Sequence, residues 1–311
     1  MNIRTFRPGD EPAQVAVFNA AACTLPGFKP ALAADVLKRT RARGFDPECR
    51  FYAVDNGQVV GYCVLEPEQA RVSVPWCKKG HEAVATPLFD AVLSAARDRH
   101  LSRVFAAYRR DWDATWRFFA DHGFAHARDF INYSCDPIDM PTAATWGGRA
   151  VSRLERADLP ALAEMGRGVI RLPAAKLEQH FFSNPYFPAE ALLANRGKDG
   201  ELTAVAMELE QPTYADVRKI DPLAPCFRLG AFGTEGLSVK RVNGMFSFLV
   251  ANPELTASAG LGLLAEVWQE MTEGTVHALA AQCPSDVPHL VGFYSRYFKE
   301  QGRFPVWERQ L

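Results

Sequence analysis

A repeat constrains this chain more than any other feature. The stretch "IRTFRPGDEPAQVAVFN" from Ile3 lies beside "AVSRLERADLPALAEM" from Ala150 at a shift of 148 residues, so that Phe6 meets Leu154, Asp10 meets Asp158, Pro12 meets Pro160 and Ala13 meets Ala161. In each copy an alternating run that suits a strand gives way to Asp, then to Pro in the first helical turn, then to helical spacing. The order of elements continues twice. "RFYAVDNGQVVGYCVLEP" reads as two strands joined by Asn56-Gly57, and "EALLANRGKDGELTAVAMELE" repeats the pair around Lys198, Asp199 and Gly200. A third strand follows in each half ("ARVSVPW", "RVNGMFSFLVAN"), then small residues and a helix ("TPLFDAVLSAARDRH", "GLLAEVWQEMTEG"). A buried strand ("RVFAAY", "VHALAA") and an aromatic helix ("RDWDATWRFFADHGF", "PHLVGFYSRYFKEQ") come last. The expected architecture is two mixed α/β domains, residues 1–136 and 150–311, joined by a turn-rich linker at 137–149.

Composition narrows the partners. A length of 311 residues suits about two domains. A formal net charge of -1 leaves no field to draw nucleic acid or an anionic membrane surface. The seven cysteines are scattered and odd in number, without the close pairs that clamp a metal, which favours a reducing compartment. The N-terminus lacks an apolar core, and no apolar run approaches the ~20 residues of a spanning helix. A cytoplasmic protein with a small partner is expected.

The order of elements, ending in an aromatic helix closed by Gly-Phe, resembles the GNAT acyltransferase superfamily over nearly the whole chain, twice. The resemblance implies a mixed sheet whose central strand parts from its neighbour, with acetyl-CoA or another acyl-CoA as cofactor. In that family an R/Q-x-x-G-x-G/A loop holds a pyrophosphate on its backbone amides, as helix N-termini do for anions in general. The six positions fall on Gly80, His81, Glu82, Ala83, Val84 and Ala85, with Ala83 replacing the middle glycine and the cation shifted back to Lys78 or Lys79. In the second half the pattern falls on "LTASAG" from Leu255, with Ser258, Ala259 and Gly260 extended by Leu261 and Gly262, and no cation. The parted strand of the family pairs with pantetheine, which implies Val72, Ser73 and Val74 in one half and Phe248, Leu249 and Val250 in the other. The lysines and the ungapped match favour the first loop for the pyrophosphate.

The family's last helix follows N-x-x-A-x-x-[FL]-Y-x-x-x-G-F, and its Tyr protonates the departing thiolate. In the first half the Tyr position is Phe119, with Gly123 and Phe124 closing the helix and Asp111 or Asp113 expected at its cap. In the second half Phe293 and Tyr294 fall on the hydrophobic-Tyr pair. Tyr294 is therefore the expected general acid, with Tyr108 a substitute in the first half. An amine must shed a proton, so Glu208 and Glu210, two apart on one strand face, are candidate bases, and Glu66 and Glu68 occupy the equivalent end of the first half. Cys77 has no His and carboxylate beside it in sequence and reads as an inert thiol.

Acyl transfer to an amine of a small molecule or peptide is the leading function, with a homodimer as an open assembly. The alternatives are a catalytically degenerate binding or regulatory protein on the same scaffold, and a relative that uses aminoacyl-tRNA. The near-neutral charge opposes the last.

Overall fold

A computed structural model describes residues 1–42, 44–136, 151–170, 174–183, 188–210, 244–272 and 278–311. It divides into two compact units, Met1–Arg128 with Phe304–Leu311, and Asp129–Arg303. Among the described residues no helix is long and apolar enough to cross a membrane.

Unit 1 runs β1 (Asn2–Thr5), α1 (Glu11–Ala22), α2 (Ala33–Thr40), β2 (Arg50–Asp55), β3 (Gln58–Glu66), β4 (Arg71–Val72), β5 (Trp76–Cys77), α3 (Ala85–Asp98), β6 (Arg103–Ala107) and α4 (Asp113–Asp121). The long strand β7 (Ala125–Cys135) begins in unit 1 and continues into unit 2. Unit 2 adds β8 (Val151–Arg153), α5 (Leu159–Met165), α6 (Ala174–Phe182), β9 (Leu192–Arg196), β10 (Leu202–Glu210), β11 (Gly244–Val250), α7 (Thr256–Thr272), β12 (Leu279–Pro284) and α8 (Pro288–Tyr297). The last strand, β13 (Lys299–Gln310), begins in unit 2 and ends in unit 1.

The two units follow one plan: an antiparallel run of strands, a parallel step to the strand after the long helix, and a final antiparallel neighbour. In unit 1 the parallel step is β4 to β6 and the final neighbour of β6 is β13, from Val306↔Ala107 to Gln310↔Arg103. In unit 2 the step is β11 to β12, and the neighbour of β12 is the second part of β7, from Leu279↔Cys135 to Pro284↔Phe130. These pairings move the division of the chain away from the expected linker. It falls at Arg128/Asp129, and the last eight residues return to unit 1. The expected linker, 137–149, lies outside the described residues.

Local chemistry explains the shared elements. Asn56 (φ 47) and Gly57 (φ 79) both take the left-handed conformation that a two-residue hairpin turn requires between β2 and β3. The aspartates matched by the repeat do the same work in each unit. Arg4 grips Asp10 through two guanidinium nitrogens at 2.7 Å each, and Asp10 also accepts from the Arg7 N–H at 2.7 Å. In unit 2 Arg196 grips Asp158 at 2.9 and 2.7 Å, and Asp158 accepts from the Glu155 N–H at 2.8 Å. Burial alone would raise the Asp10 carboxyl, but Arg4 and the Arg7 amide overcome it and hold it below the usual range. At Asp158 the Arg196 hydrogen bonds dominate and lower the carboxyl against the opposing effect of burial.

The aromatic helix α4 closes as its sequence predicts. Gly123 (φ 77) takes the left-handed position, the Gly123 N–H donates to Ala120 and the Phe124 N–H to Phe119, the paired bonds of a Schellman stop. Its start differs from expectation: Trp112 is the N-cap residue with no side-chain cap bond, because Asp111 is held by Arg109 at 2.7 and 2.8 Å.

Two outcomes follow from these contacts. A carboxyl held low in the folded state contributes stability that is fully present above its unfolded pKa of about 3.9 and is lost as pH falls through the folded value. Asp10→Asn should lower stability near neutral pH by about 1–3 kcal/mol, measured by urea unfolding, and flatten the acid side of the profile. A fragment of residues 1–136 lacks the strand that covers β6, so it should aggregate or unfold, and adding residues 304–311 as a peptide should rescue its hydrogen-exchange protection at β6.

Candidate functional site

The parting of strands that the resemblance implied occurs in both units. In unit 2 β11 pairs with β10 along its whole length, from Glu210↔Gly244 to Ala204↔Val250. It pairs with β12 only at Gly244↔Leu279 and Met245↔Ala280, and beyond that point the two strands separate. The Ala251 N–H donates to the Thr203 carbonyl, so the alternation of an antiparallel ladder turns Leu249 and Ser247 N–H toward β10 and Phe248 and Val250 N–H toward the parted side.

Tyr294, on α8, is packed against this strand. Its ring stacks on Tyr133 at 5.4 Å and meets Phe298 at 5.2 Å, Phe293 at 5.5 Å and Phe248 at 5.8 Å. The residue is 1 % exposed, and its hydroxyl has no hydrogen-bond partner among the described residues. Burial, with Cys283 nearby, pushes the phenol upward, while the Phe248 amide and the Ser247 side chain lie close enough to pull it back without forming a proper hydrogen bond. Glu208 is buried and lies opposite Phe246 across the β10–β11 ladder, so it shares the face that carries Phe246 and Tyr294. Glu210 pairs with Gly244 in the same ladder, and its side chain lies outside the described residues.

The residues of the expected second-half anion loop lie at the start of a helix and not in a loop. A short turn at Pro253–Leu255 leads directly into α7 at Thr256, so Ser258, Ala259, Gly260, Leu261 and Gly262 belong to the first turns of a helix. The Ser258 hydroxyl donates to the Leu255 carbonyl at 3.1 Å. Gly260 is small for packing: a Cβ there would lie 2.6 Å from the Phe293 ring and 2.8 Å from that of Phe248. Gly262 faces open space. Glu254, exposed in the turn, adds negative charge where an anion would need positive.

Unit 1 presents the complementary picture. Its third strand is broken, because Pro75 has no N–H to give to a ladder. Ser73 repairs the break, donating its N–H to Val64 at 2.8 Å and accepting the Val64 N–H on its hydroxyl at 2.9 Å. The parallel pairing of β4 with β6 is confined to Arg71↔Phe105. Beyond it the Val74 N–H donates to the Tyr108 hydroxyl at 2.8 Å, and Val72 is fully buried. Backbone amides of Ser73 and Val74 that pantetheine was expected to meet are thus already engaged. Tyr108 stacks on Trp112 at 5.7 Å and on Phe119 at 5.9 Å. Burial raises its phenol to about 12, against the pull of Arg71 and the Val74 amide.

The first anion loop keeps its lysines but is filled by its own acid. Gly80 (φ +86) turns the chain, the His81 N–H donates to Lys78 at 3.0 Å, and the Gly80 N–H donates to the Glu82 carboxylate at 3.0 Å. That bond, then the Glu82 N–H itself, lowers the carboxyl. Ala83 is exposed, Val84 is buried against Gly61, and Ala85 opens α3, leaving Lys78 and Lys79 at the turn. Burial first, and then Glu82, raises the Cys77 thiol to about 11, as an inert thiol requires. Glu66 ends β3 while Glu68 lies in the following turn, so the two do not share a strand face.

No family model and no curated protein matches the chain. Solved structures do. A GCN5-related N-acetyltransferase from Sphaerobacter thermophilus aligns over 99% of this chain and 95% of its own at 18% identity and a TM-score of 0.67. The GCN5-related glucosamine N-acetyltransferase region of a fungal multi-domain GH3 beta-N-acetylglucosaminidase aligns over 99% of this chain and 38% of its own, at 14% identity and a TM-score of 0.66. A tandem GNAT protein from the clavulanic acid biosynthesis pathway aligns over 99% and 98% at 14% identity and a TM-score of 0.56. The fold is that of tandem GNAT proteins.

The two glycines of α7 separate packing from ligand approach. Gly260→Ala should destabilise unit 2 by about 1–3 kcal/mol through ring displacement. Gly262→Ala should be neutral or stabilise by up to about 1 kcal/mol, as in any open helical position. Urea midpoints of the two variants check the contrast.

Proposed function

We propose that this chain, two GNAT folds in tandem, is an acyl-CoA-dependent N-acyltransferase, most simply an acetyltransferase acting on an amine of a small molecule or peptide, with its chemistry in unit 2. One observation carries the reading. Where β11 leaves β12, a fully buried phenol hydroxyl without a hydrogen-bond partner among the described residues points at a strand edge whose amides face away from the ladder. An unmet buried hydroxyl costs about 1–3 kcal/mol, and a polar ligand in the gap removes that penalty.

Acyl-CoA, when bound, supplies an activated acyl group and a thiol leaving group. The Phe248 and Val250 amides would hold its carbonyl and pantetheine end, with Leu249 between them on the β10 side. Donors fixed on a strand need no reorganisation as charge develops on an acceptor oxygen, which is how such amides favour a transition state. Tyr294 holds a proton on its hydroxyl at neutral pH and releases it to a departing thiolate. Glu208, buried on the same face, receives the amine's proton through the acceptor itself or through water. The aromatic packing of Tyr133, Phe248, Phe293 and Phe298 excludes water from the phenol.

A second reading applies to unit 1. Its Val74 amide is capped by Tyr108 and its Gly80 amide by Glu82, so this half serves better as a supporting or binding module than as a second catalytic centre. The lysines of its loop still favour an anion, and weak CoA binding there is compatible with this role.

The test uses thiol release from acetyl-CoA across a panel of amines. Tyr294→Phe should reduce turnover about 100- to 10,000-fold with little change in the calorimetric affinity for CoA, because a proton donor acts in the transition state. Tyr108→Phe should leave turnover within about threefold while lowering the stability of unit 1 by about 1–3 kcal/mol through the orphaned Val74 amide. Unchanged turnover in Tyr294→Phe, or loss in Tyr108→Phe alone, would move the chemistry to unit 1.

A further inference from the structure

We infer that unit 1 carries a second binding site, specific for an organic cation, in a cavity of about 610 Å³ between the β1–α1 turn and α2. The volume is typical of small-molecule sites. Phe6, Pro8, Pro12, Ala34 and Leu37 give it apolar walls. Two charged residues line it, Arg41, which is exposed, and Glu11, which is only 8% exposed.

The surroundings of that carboxylate leave a charge to be met. Oε2 accepts from the Gly9 N–H at 2.8 Å, and Oε1 faces the Thr40 hydroxyl at 3.3 Å. A hydroxyl has one proton, and the Thr40 Oγ1 lies nearer, at 2.9 Å, to the Leu37 carbonyl. The bond to Oε1 is therefore long and shared, and it brings no positive charge to the carboxylate. Among the described residues no cation pairs with Glu11; the Arg41 that also lines the cavity is exposed and makes no ion pair with it. A buried carboxylate without a cation is costly, and an ammonium entering the cavity would offset that cost.

The fold itself does not ask for this charge. The repeat aligns Asp10 with Asp158, and both take the same guanidinium and amide bonds, but it aligns Glu11 with Leu159. The copy builds the same strand-to-helix turn with an apolar residue where unit 1 buries a carboxylate. The chemistry therefore favours a primary ammonium on an apolar body: the head at Glu11, the body against Phe6 and Leu37. This inference does not rest on acyl transfer.

A ligand-observed NMR titration of the full chain with tryptamine, its neutral isostere tryptophol and the anion indole-3-propionate tests it. Tryptamine should bind, and the other two should bind at least about tenfold more weakly. Glu11→Gln, which keeps the Gly9 acceptor, should weaken tryptamine by at least about tenfold. Ala34→Trp, made at an exposed helix position so that folding is untouched, should block it. Absence of tryptamine binding, equal binding of tryptophol, or wild-type binding in both variants would overturn the site. If binding instead disappears in Tyr294→Phe and survives Glu11→Gln, the cation occupies the acyl-transfer cleft; this inference then fails while the proposed function stands.

Discussion

The parting of two parallel strands is the constraint on which everything else in each unit depends. Parallel neighbours that separate after one or two paired residues expose a row of backbone amides in the protein interior, and buried amides must be met by something. The two units answer differently. In unit 1 the Tyr108 hydroxyl takes the Val74 N–H from the end of β6, at 2.8 Å. In unit 2 the phenol comes from the following helix, and Tyr294 lies beside the Phe248 amide without closing a bond. One gap is closed by a side-chain hydrogen bond; in the other the phenol hydroxyl stays without a partner among the described residues.

A repeat makes such differences readable, because each half is the other's control. Asp10 and Asp158 hold the same kinds of partner although their arginines come from β1 in one unit and from β9 in the other. What the turn requires is a carboxylate gripped by a fork of guanidinium nitrogens, whichever strand supplies it. Residues that differ at matched positions are where function is to be sought. Phe119 against Tyr294 and Glu11 against Leu159 are the two most informative pairs.

Much of this was legible in the residues, and the failures share a cause. Asn56-Gly57, the Gly123-Phe124 stop and the Asp-Pro helix starts are local signals, decided by the φ preferences and caps of a few neighbours, and they read correctly. The final strands went unread, although "HARDFINYSC" and "RFPVWERQ" alternate, because their partners β12 and β6 are far away in sequence. The small residues of "LTASAG" suggested a loop. Tertiary packing overrode that suggestion, since Gly260 gives up helix propensity to let the Phe248 and Phe293 rings approach the helix. Amide availability at Val74 was likewise beyond sequence reasoning, as it depends on where the Tyr108 hydroxyl ends up.

The buried phenol of unit 2 also bears on whether it is a competent acid. Burial raises Tyr294, which in water would make it a poorer proton donor. The relevant comparison is with the acceptor in the same place. A thiolate formed in a dry cleft is destabilised by the same loss of solvation, so its proton affinity rises with that of the phenol, and the difference between the two governs transfer. For the proposed acyl transfer, burial would keep the phenol protonated beforehand and exclude water as a competing donor. Tyr108 shares the burial, at about 12, but its oxygen already accepts the Val74 amide, and a ligand must break that bond to reach it. Burial raises both phenols, Tyr294 the further, but only the Tyr108 oxygen is engaged by a backbone amide, and that is set by which element carries the ring.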